Sequence, residues 1–307
     1  MALIRALVGV LHVGEPSLMQ AIDSVDAQER VDSTLHLIGH LPKWDAHRAL
    51  FNHFTSEGEA YDVMVKLDAD MEILHPRLLA ASGDLFARHQ RVDHIVFGVD
   101  DWLSGERIMG MSIWRGGVRW EGPPPDLFTD LAPSSARGRL KLMDLDRPLV
   151  AHAQSPSETQ ALRYGAHRAL KAARTGKASR LDRLEAFVHF TTTNPDPIRV
   201  LALAAAEAAL LDPAFGRKMV DGLTTVTEND LSRLRGRAQH PHEIERSLLL
   251  QIERIRATRF PGAPPAPTPT GLLDRARGSL RRRLSPPPLD TQRLRAEFVA
   301  SLDLTSG

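Results

Sequence analysis

The N-terminal part of the chain alternates between apolar, strand-like segments and amphipathic, helix-like segments. Runs rich in aliphatic residues cover 3–13, 33–39 and 61–67. Between them, 17–28 and 44–55 carry apolar residues at the three- and four-residue spacing of a helix that buries one face. Strand, helix, strand, helix, strand at these lengths predicts an α/β fold in which helices cover a mainly parallel sheet.

The rest of the chain changes character twice. After a helix that follows Pro76, glycine-separated apolar runs predict a meander appended to the sheet, at 94–99, 107–114 and 118–120. A Pro-rich loop at 122–135 follows, and 140–151 predicts a last strand region. Beyond it, apolar spacing predicts helices at about 182–193, 197–211, 213–222, 227–237 and 241–258. A Pro-rich run then predicts a linker, followed by a basic segment and a terminal helix at 291–302. We therefore expect a sheet domain over 1–155, a helical region over 156–260, and a linker with a basic tail over 261–307.

Two aspartates end the third predicted strand. Asp68 and Asp70 are two positions apart, so their side chains point to the same side of a strand and can converge on one ligand. Open parallel sheets bind their ligands at this carboxyl edge. Two adjacent carboxylates repel each other unless protons or a cation relieve the repulsion, and the chain has no cysteine for a thiolate site. The pair therefore predicts a hard cation, Mn²⁺ or Mg²⁺, and its position after the strand–helix pattern favours this over the alternative that it caps the next turn or helix.

Four features in this order resemble the GT-A glycosyltransferases, specifically the family 2 type. They are the first strand with the loop that ends it, Ala-Ile-Asp-Ser-Val-Asp-Ala-Gln at 21–28, the helix at 46–54, and the strand with its Asp-Ala-Asp at 63–70. The resemblance covers roughly 3–155 and implies a GT-A-like mixed, mainly parallel sheet and a nucleotide-sugar donor. It implies that Asp70 binds the metal ion and that Asp68 contacts the ribose or a metal-bound water. It also implies that the loop after the first strand holds the nucleoside base, through Leu11, His12, Val13 and Glu15.

The catalytic base and the base-reading acid of that family have no clear counterpart. The family carries an aspartate pair after its second strand, whereas 37–43 contains no acidic residue. An inverting transferase needs a carboxylate that takes the proton of the acceptor hydroxyl. The candidates are Asp100, Asp101, Glu121, Asp126 and Asp130. Of these we select Asp126 as the catalytic residue.

A histidine and a helix follow the last predicted strand. Several GT-A enzymes supply a histidine metal ligand here, and His152 stands at that point, although it could be an ordinary loop residue. Ser155 and Glu158 predict a capping box that begins a helix. On that helix, Gln160, Arg163, His167 and Lys171 fall on one face. We expect this face, Arg163 in particular, either to close over a donor diphosphate or to be a solvated stripe.

Two other functions are compatible with the sequence. A haloacid dehalogenase-type phosphatase also uses Asp-x-Asp, but on its first strand, and with Thr or Val where this chain has Glu72. A non-catalytic transferase-like scaffold would explain why the base-reading acid and the catalytic base have no clear counterpart. For the transferase, the acceptor could be a glycan, a lipid or a small molecule.

Charge and hydropathy limit the partners and the cellular location that we expect. The net charge of +1 argues against a nucleic-acid partner. The short apolar start lacks a cleavage pattern, and no run approaches ~20 apolar residues, so we expect a cytoplasmic protein. The basic segment at 275–283 could contact a membrane surface.

Overall fold

A computed structural model describes most of the chain. The residues that it describes are 2–121, 133–135, 137–143, 145–174, 178–221, 226–260 and 289–303.

The described residues form strands in the N-terminal half and helices in the C-terminal half. The strands are β1 (Ile4–His12), β2 (Val31–Gly39), β3 (Val63–Asp68), β4 (Met71–Ile73), β5 (His94–Asp101), β6 (Glu106–Arg115), β7 (Arg139–Leu142) and β8 (Val150–His152). The helices among the strands are α1 (Leu18–Asp26), α2 (Lys43–Glu57) and α3 (Leu78–Arg88). Those that follow are α4 (Glu158–Arg174), α5 (Ala178–Thr193), α6 (Pro197–Leu211), α7 (Pro213–Asp221), α8 (Glu228–Arg237), α9 (Pro241–Arg259) and α10 (Thr291–Asp303).

The strands make one mixed sheet. Its order is β2-β1-β3-β6-β5-β8-β4, with β7 paired to β5. The first three strands are parallel, with β1 between β2 and β3, which confirms the predicted βαβαβ unit. Strand β6 then runs antiparallel to both β3 and β5, so the sheet is mixed about its centre.

Helices cover both faces of the sheet. Buried residues of α1, α3 and α10 pack with one face, whereas α2 packs on the other with the indole rings of Trp114 and Trp120. A separate cluster joins the helices from α4 to α9. At its centre is α6, where every residue from Ala202 to Ala206 is fully buried, as expected of a helix that is apolar all round. No helix in the described ranges is both long and apolar enough to cross a membrane.

Three local predictions differ from the structure. The segment 118–120 is not a strand: Gly117 turns the chain with a φ of 78°, and Val118 and Trp120 pack into the core without a ladder. The segment 140–151 forms two separate strands, β7 and β8, instead of one strand region. The capping box that begins α4 is Ser157 with Gln160, two residues later than predicted, each side chain bonded to the other's backbone N–H.

Close backbone contact between α4 and α6 gives a stability prediction. A Cβ on Gly165 would lie 1.8 Å from the carbonyl oxygen of Ala202, so Gly165→Ala must push the two helices apart. We expect the free energy of unfolding to fall by about 1–3 kcal/mol in urea titrations, the usual cost of overpacking.

Gly236→Ala in α8 is the matched control, because a Cβ there meets nothing within 4 Å. Its free energy of unfolding should stay constant or rise by up to about 1 kcal/mol, since alanine is the better helix former. Equal effects of the two substitutions would show that the α4–α6 contact is not as close as described.

Candidate active site

The site lies at the carboxyl edge of β1 and β3. In the parallel register Leu11 stands opposite Asp68, so the loop after β1 begins beside the aspartate pair. The N–H of Ala69 donates to the carbonyl of Leu11 at 2.9 Å, and the hydroxyl of Ser17 donates to the carbonyl of Ala69 at 2.9 Å. These bonds hold the two ends of the β1–α1 loop, which contains Val13 and Glu15, against the Asp-x-Asp segment.

A cavity of about 430 Å³ opens at this edge. Its lining includes every described residue that the sequence assigned to donor or metal binding: Leu11, His12, Val13, Glu15, Asp68, Asp70, His152 and Arg163. These side chains come from β1, the β1–α1 loop, β3, the turn between β3 and β4, β8 and α4. The fold therefore gathers segments that are far apart in the sequence.

Asp68 is held by a lysine that sequence analysis left without a role. The ammonium of Lys66 lies 2.9 and 3.0 Å from the two carboxylate oxygens of Asp68. Burial raises the pKa of Asp68, but Lys66 and His47 outweigh that effect, so the pKa lies below its usual range. The two-residue spacing places both side chains on one side of β3, which is the signal that could have revealed this pair.

His152 links Asp70 to a second carboxylate, that of Asp101. The ring Nε2 of His152 lies 3.5 Å from the Asp70 carboxylate, and Nδ1 lies 2.8 Å from that of Asp101. Strand register explains the arrangement, because His152 stands opposite Asp101 on β5 and opposite Met71, the neighbour of Asp70, on β4. Burial lowers the pKa of His152, but the two carboxylates more than offset it and raise the pKa to about 9.

Asp101 is fully buried and accepts hydrogen bonds from several donors. Besides His152, they are the hydroxyls of Ser104 and Tyr164 and the guanidinium of Arg168, the last at 3.3 Å. Burial raises the pKa of Asp101, whereas His152, Arg168 and Ser104 lower it, with a net pKa of about 2. A carboxylate occupied in this way is suited to holding His152 in place, not to taking a proton from an acceptor.

The backbone is strained next to His152. Ala153 has a φ of 53°, a left-handed conformation that a residue with a Cβ rarely adopts. The N–H of Ala153 donates to the carbonyl of Asp70 at 2.8 Å. Strain of this kind persists where surrounding bonds fix the chain, and here it keeps His152 and Asp70 side by side.

The predicted face of α4 lines the cavity. The amide of Gln160 lies 3.5 Å from the Asp70 carboxylate, which fixes the start of the helix at the aspartate pair. Arg163, His167 and Lys171 follow along the same cavity wall. The Nε of Arg163 is buried and has no hydrogen-bond partner among the described residues. Sequence analysis missed Tyr164 and Arg168, which continue from Gln160 at a spacing of four and could have been found by that spacing.

The structure describes only some of the candidates for the catalytic base. Asp126 and Asp130 lie outside the described residues. Asp100 is bound by the guanidinium of Arg107 at 2.6 Å, and Glu121 is exposed and does not line the cavity. The choice of Asp126 therefore stays a prediction.

Comparison with known proteins gives distant similarities. No family model and no curated protein matches the chain. Similar solved structures include the mannosyltransferase PcManGT from Pyrobaculum calidifontis in complex with GDP-Man and Mn²⁺, at 15% identity and a TM-score of 0.38, over 84% of this chain and 87% of that chain. TarS of S. aureus is 12% identical with a TM-score of 0.32, over 83% of this chain and 55% of TarS. TM-scores this low do not establish a common fold.

The donor set at Asp70 and His152 fits a divalent cation. Within the described residues, no three His, Asp or Glu side chains are gathered closely enough to hold a metal ion. Asp70 and His152 nevertheless offer an oxygen and a nitrogen ligand side by side, and Asp101 fixes the far nitrogen of the imidazole as carboxylates do behind metal-bound histidines. Mg²⁺ and Mn²⁺ commonly take one or two protein ligands and complete their shell with phosphate and water oxygens. Two protein ligands are thus sufficient here.

The difference in burial between Asp100 and Asp101 gives a second prediction. Asp101→Asn leaves Arg168 and His152 without their shared carboxylate in a buried site. We therefore expect the free energy of unfolding to fall by about 3–5 kcal/mol in urea titrations.

Asp100→Asn is the control on the neighbouring residue. Its side chain is 41% exposed and pairs with Arg107 at the surface, so the same substitution should cost about 1 kcal/mol or less. A loss at Asp100 as large as that at Asp101 would contradict the central role of the Asp101 network.

Proposed function

We propose that this protein is a metal-dependent glycosyltransferase of the GT-A type that moves a sugar from a nucleotide donor to an acceptor hydroxyl. One observation carries the proposal. Residues assigned to donor and metal binding from separate parts of the sequence line one cavity at the carboxyl edge of a parallel βαβαβ unit. Open α/β sheets bind nucleotides at this edge.

In this proposal, two walls of the cavity contact different parts of the donor. The nucleoside lies against the β1 loop, where Leu11, Val13 and Glu15 line the cavity and offer apolar contact and a carboxylate. The diphosphate lies between Asp70 and α4, within reach of the guanidinium of Arg163. The unpartnered Nε of Arg163 is a donor that a phosphate oxygen would satisfy.

Asp70 and His152 would hold the Mn²⁺ or Mg²⁺ ion, whose charge stabilises the leaving diphosphate. Asp101 and Ala153 keep these two ligands adjacent, the first through the imidazole and the second through the backbone. Lys66 balances the charge of Asp68 and keeps it ionised beside the donor. Asp126 is the base that takes the acceptor proton, and the transfer inverts the anomeric centre.

Removal of one carboxylate tests the donor site. With Mn²⁺ present, one class of nucleoside diphosphate should raise the melting temperature of the wild-type chain and bind in calorimetry, and EDTA should abolish both effects. Asp70→Asn should weaken this binding by about tenfold or more, because the substitution of a metal ligand, or of a residue that supports one, costs at least that much in metal affinity.

Asp32→Asn is the matched control, because Asp32 is an exposed aspartate on β2 of the same sheet and does not line the cavity. It should bind the nucleotide as the wild type does. A wild-type protein that is folded but responds to no nucleoside diphosphate would contradict the proposal. Release of phosphate from a phosphomonoester would then favour the phosphatase.

A second substitution tests the base. Asp126→Asn should lower kcat by about 10²–10⁴-fold, because the acceptor hydroxyl loses its proton acceptor, and nucleotide binding should be retained. Asp130→Asn, four residues further on, is the control and should keep most of the activity in the same steady-state assay. Loss at Asp130 with full activity at Asp126 would show that the base is assigned to the wrong aspartate.

A further inference from the structure

The two aspartates of the Asp-x-Asp segment face different partners. Asp70 lies beside the imidazole of His152 and the amide of Gln160, both at 3.5 Å. Asp68 receives the ammonium of Lys66 on both of its carboxylate oxygens, at 2.9 and 3.0 Å. The segment therefore presents one carboxylate with capacity for a cation and one that already binds a cation.

Strand geometry directs Lys66 to Asp68. The two residues are two positions apart on β3, so their side chains share one side of the strand. The residues that stand opposite Lys66 are Gly9 on β1 and Ser112 on β6, so neither neighbouring strand places an acidic residue at this position of the ladder. The side chain of Lys66 is 11% exposed and that of Asp68 is 34% exposed, so a largely buried ammonium lies beside a carboxylate that still opens to the cavity.

An ammonium in this position weakens the attraction of Asp68 for a second cation. One positive charge balances the single negative charge, and a metal ion at the same carboxylate would be repelled by Lys66 at short range. Burial raises the pKa of Asp68, and the cations that lower it most are Lys66 and His47. His152 lowers the pKa of Asp68 less than they do, so Asp68 is held mainly by groups other than the metal-binding histidine. Its oxygens keep free lone pairs that can accept hydrogen bonds from neutral hydroxyls.

We propose that Lys66 is a positioning residue that withholds Asp68 from the metal ion and reserves it for a hydroxyl of the nucleotide donor. The inference rests on the proposed function, because it assigns different tasks to the two carboxylates of one donor site. The ion then receives one carboxylate and one imidazole from the protein, and it binds weakly until the donor diphosphate supplies further oxygens. Metal ion and nucleotide therefore enter the site together.

Binding of Mn²⁺ alone tests the inference, because it requires neither nucleotide nor turnover. Electron paramagnetic resonance of free Mn²⁺, titrated with the full chain, measures the affinity. In Lys66→Met, whose unbranched side chain fills a similar space, Asp68 loses its ammonium and becomes available as a second carboxylate ligand. We expect this variant to bind Mn²⁺ about tenfold or more tightly than the wild type, since metal affinity rises with the number of charged ligands. A lysine that only supports the fold would not raise the affinity when it is removed.

Two further variants separate the release of Asp68 from a general change of charge. Lys66→Met combined with Asp68→Asn removes the ion pair as a unit and leaves the net charge unchanged, so its Mn²⁺ affinity should lie within about threefold of the wild-type value. Arg163→Gln is the charge control, because it removes a cation from the same cavity whose Nε has no hydrogen-bond partner among the described residues. It should raise the affinity by less than about threefold, since only a longer-range repulsion is lost.

The inference and the proposed function fail in different ways. Wild-type binding of a nucleoside diphosphate with Mn²⁺, together with unchanged or weaker Mn²⁺ binding by Lys66→Met, would overturn the inference alone. An equal gain in Arg163→Gln, or a double variant that differs from the wild type by about tenfold in either direction, would do the same. The double variant leaves no buried charge unpaired, so it decides the matter if circular dichroism shows that Lys66→Met does not fold. Absence of metal-dependent nucleotide binding in the wild type would overturn the proposed function, and the inference with it.

Discussion

The pairing of His152 with Asp101 holds the site together. It lies where β8 joins β5 to β4, so one imidazole connects the central sheet to the short strand that follows the aspartate pair. The other ring nitrogen faces Asp70. Tyr164 and Arg168 bring α4 to the same buried carboxylate. The position of α4 and the orientation of His152 beside Asp70 therefore depend on this contact.

Charge is arranged in pairs across the cavity. Lys66 neutralises Asp68, and Arg168 with His152 neutralises Asp101, so these carboxylates stay ionised although they are removed from bulk water. Asp70 is different: its described partners are an imidazole and an amide, both at 3.5 Å, which leaves the carboxylate with capacity for a further ligand. This distribution supports the proposed cation at Asp70 and the proposed donor diphosphate beside α4.

Sequence patterns predicted the parts of the fold that local periodicity determines. The βαβαβ unit, the C-terminal helices and the cavity-facing stripe of α4 were visible as spacings of two, three and four residues. The contacts that depend on strand register could not be predicted in this way. No local pattern pairs residue 101 with residue 152, because only the placement of β8 beside β5 brings them together. The family resemblance implied a mixed, mainly parallel sheet, but the place of the antiparallel strand β6 between β3 and β5 could not be read from the sequence, because an apolar run does not indicate the direction of the strand beside it.

Anomalous diffraction from crystals grown with Mn²⁺ and the nucleoside diphosphate that binds best would test the central claim most directly. The account predicts one manganese peak in the cavity, bonded to a carboxylate oxygen of Asp70, to Nε2 of His152 and to phosphate oxygens, with Nδ1 of His152 still on Asp101. A bound nucleotide without manganese at Asp70 and His152, or a manganese ion held elsewhere, would contradict it.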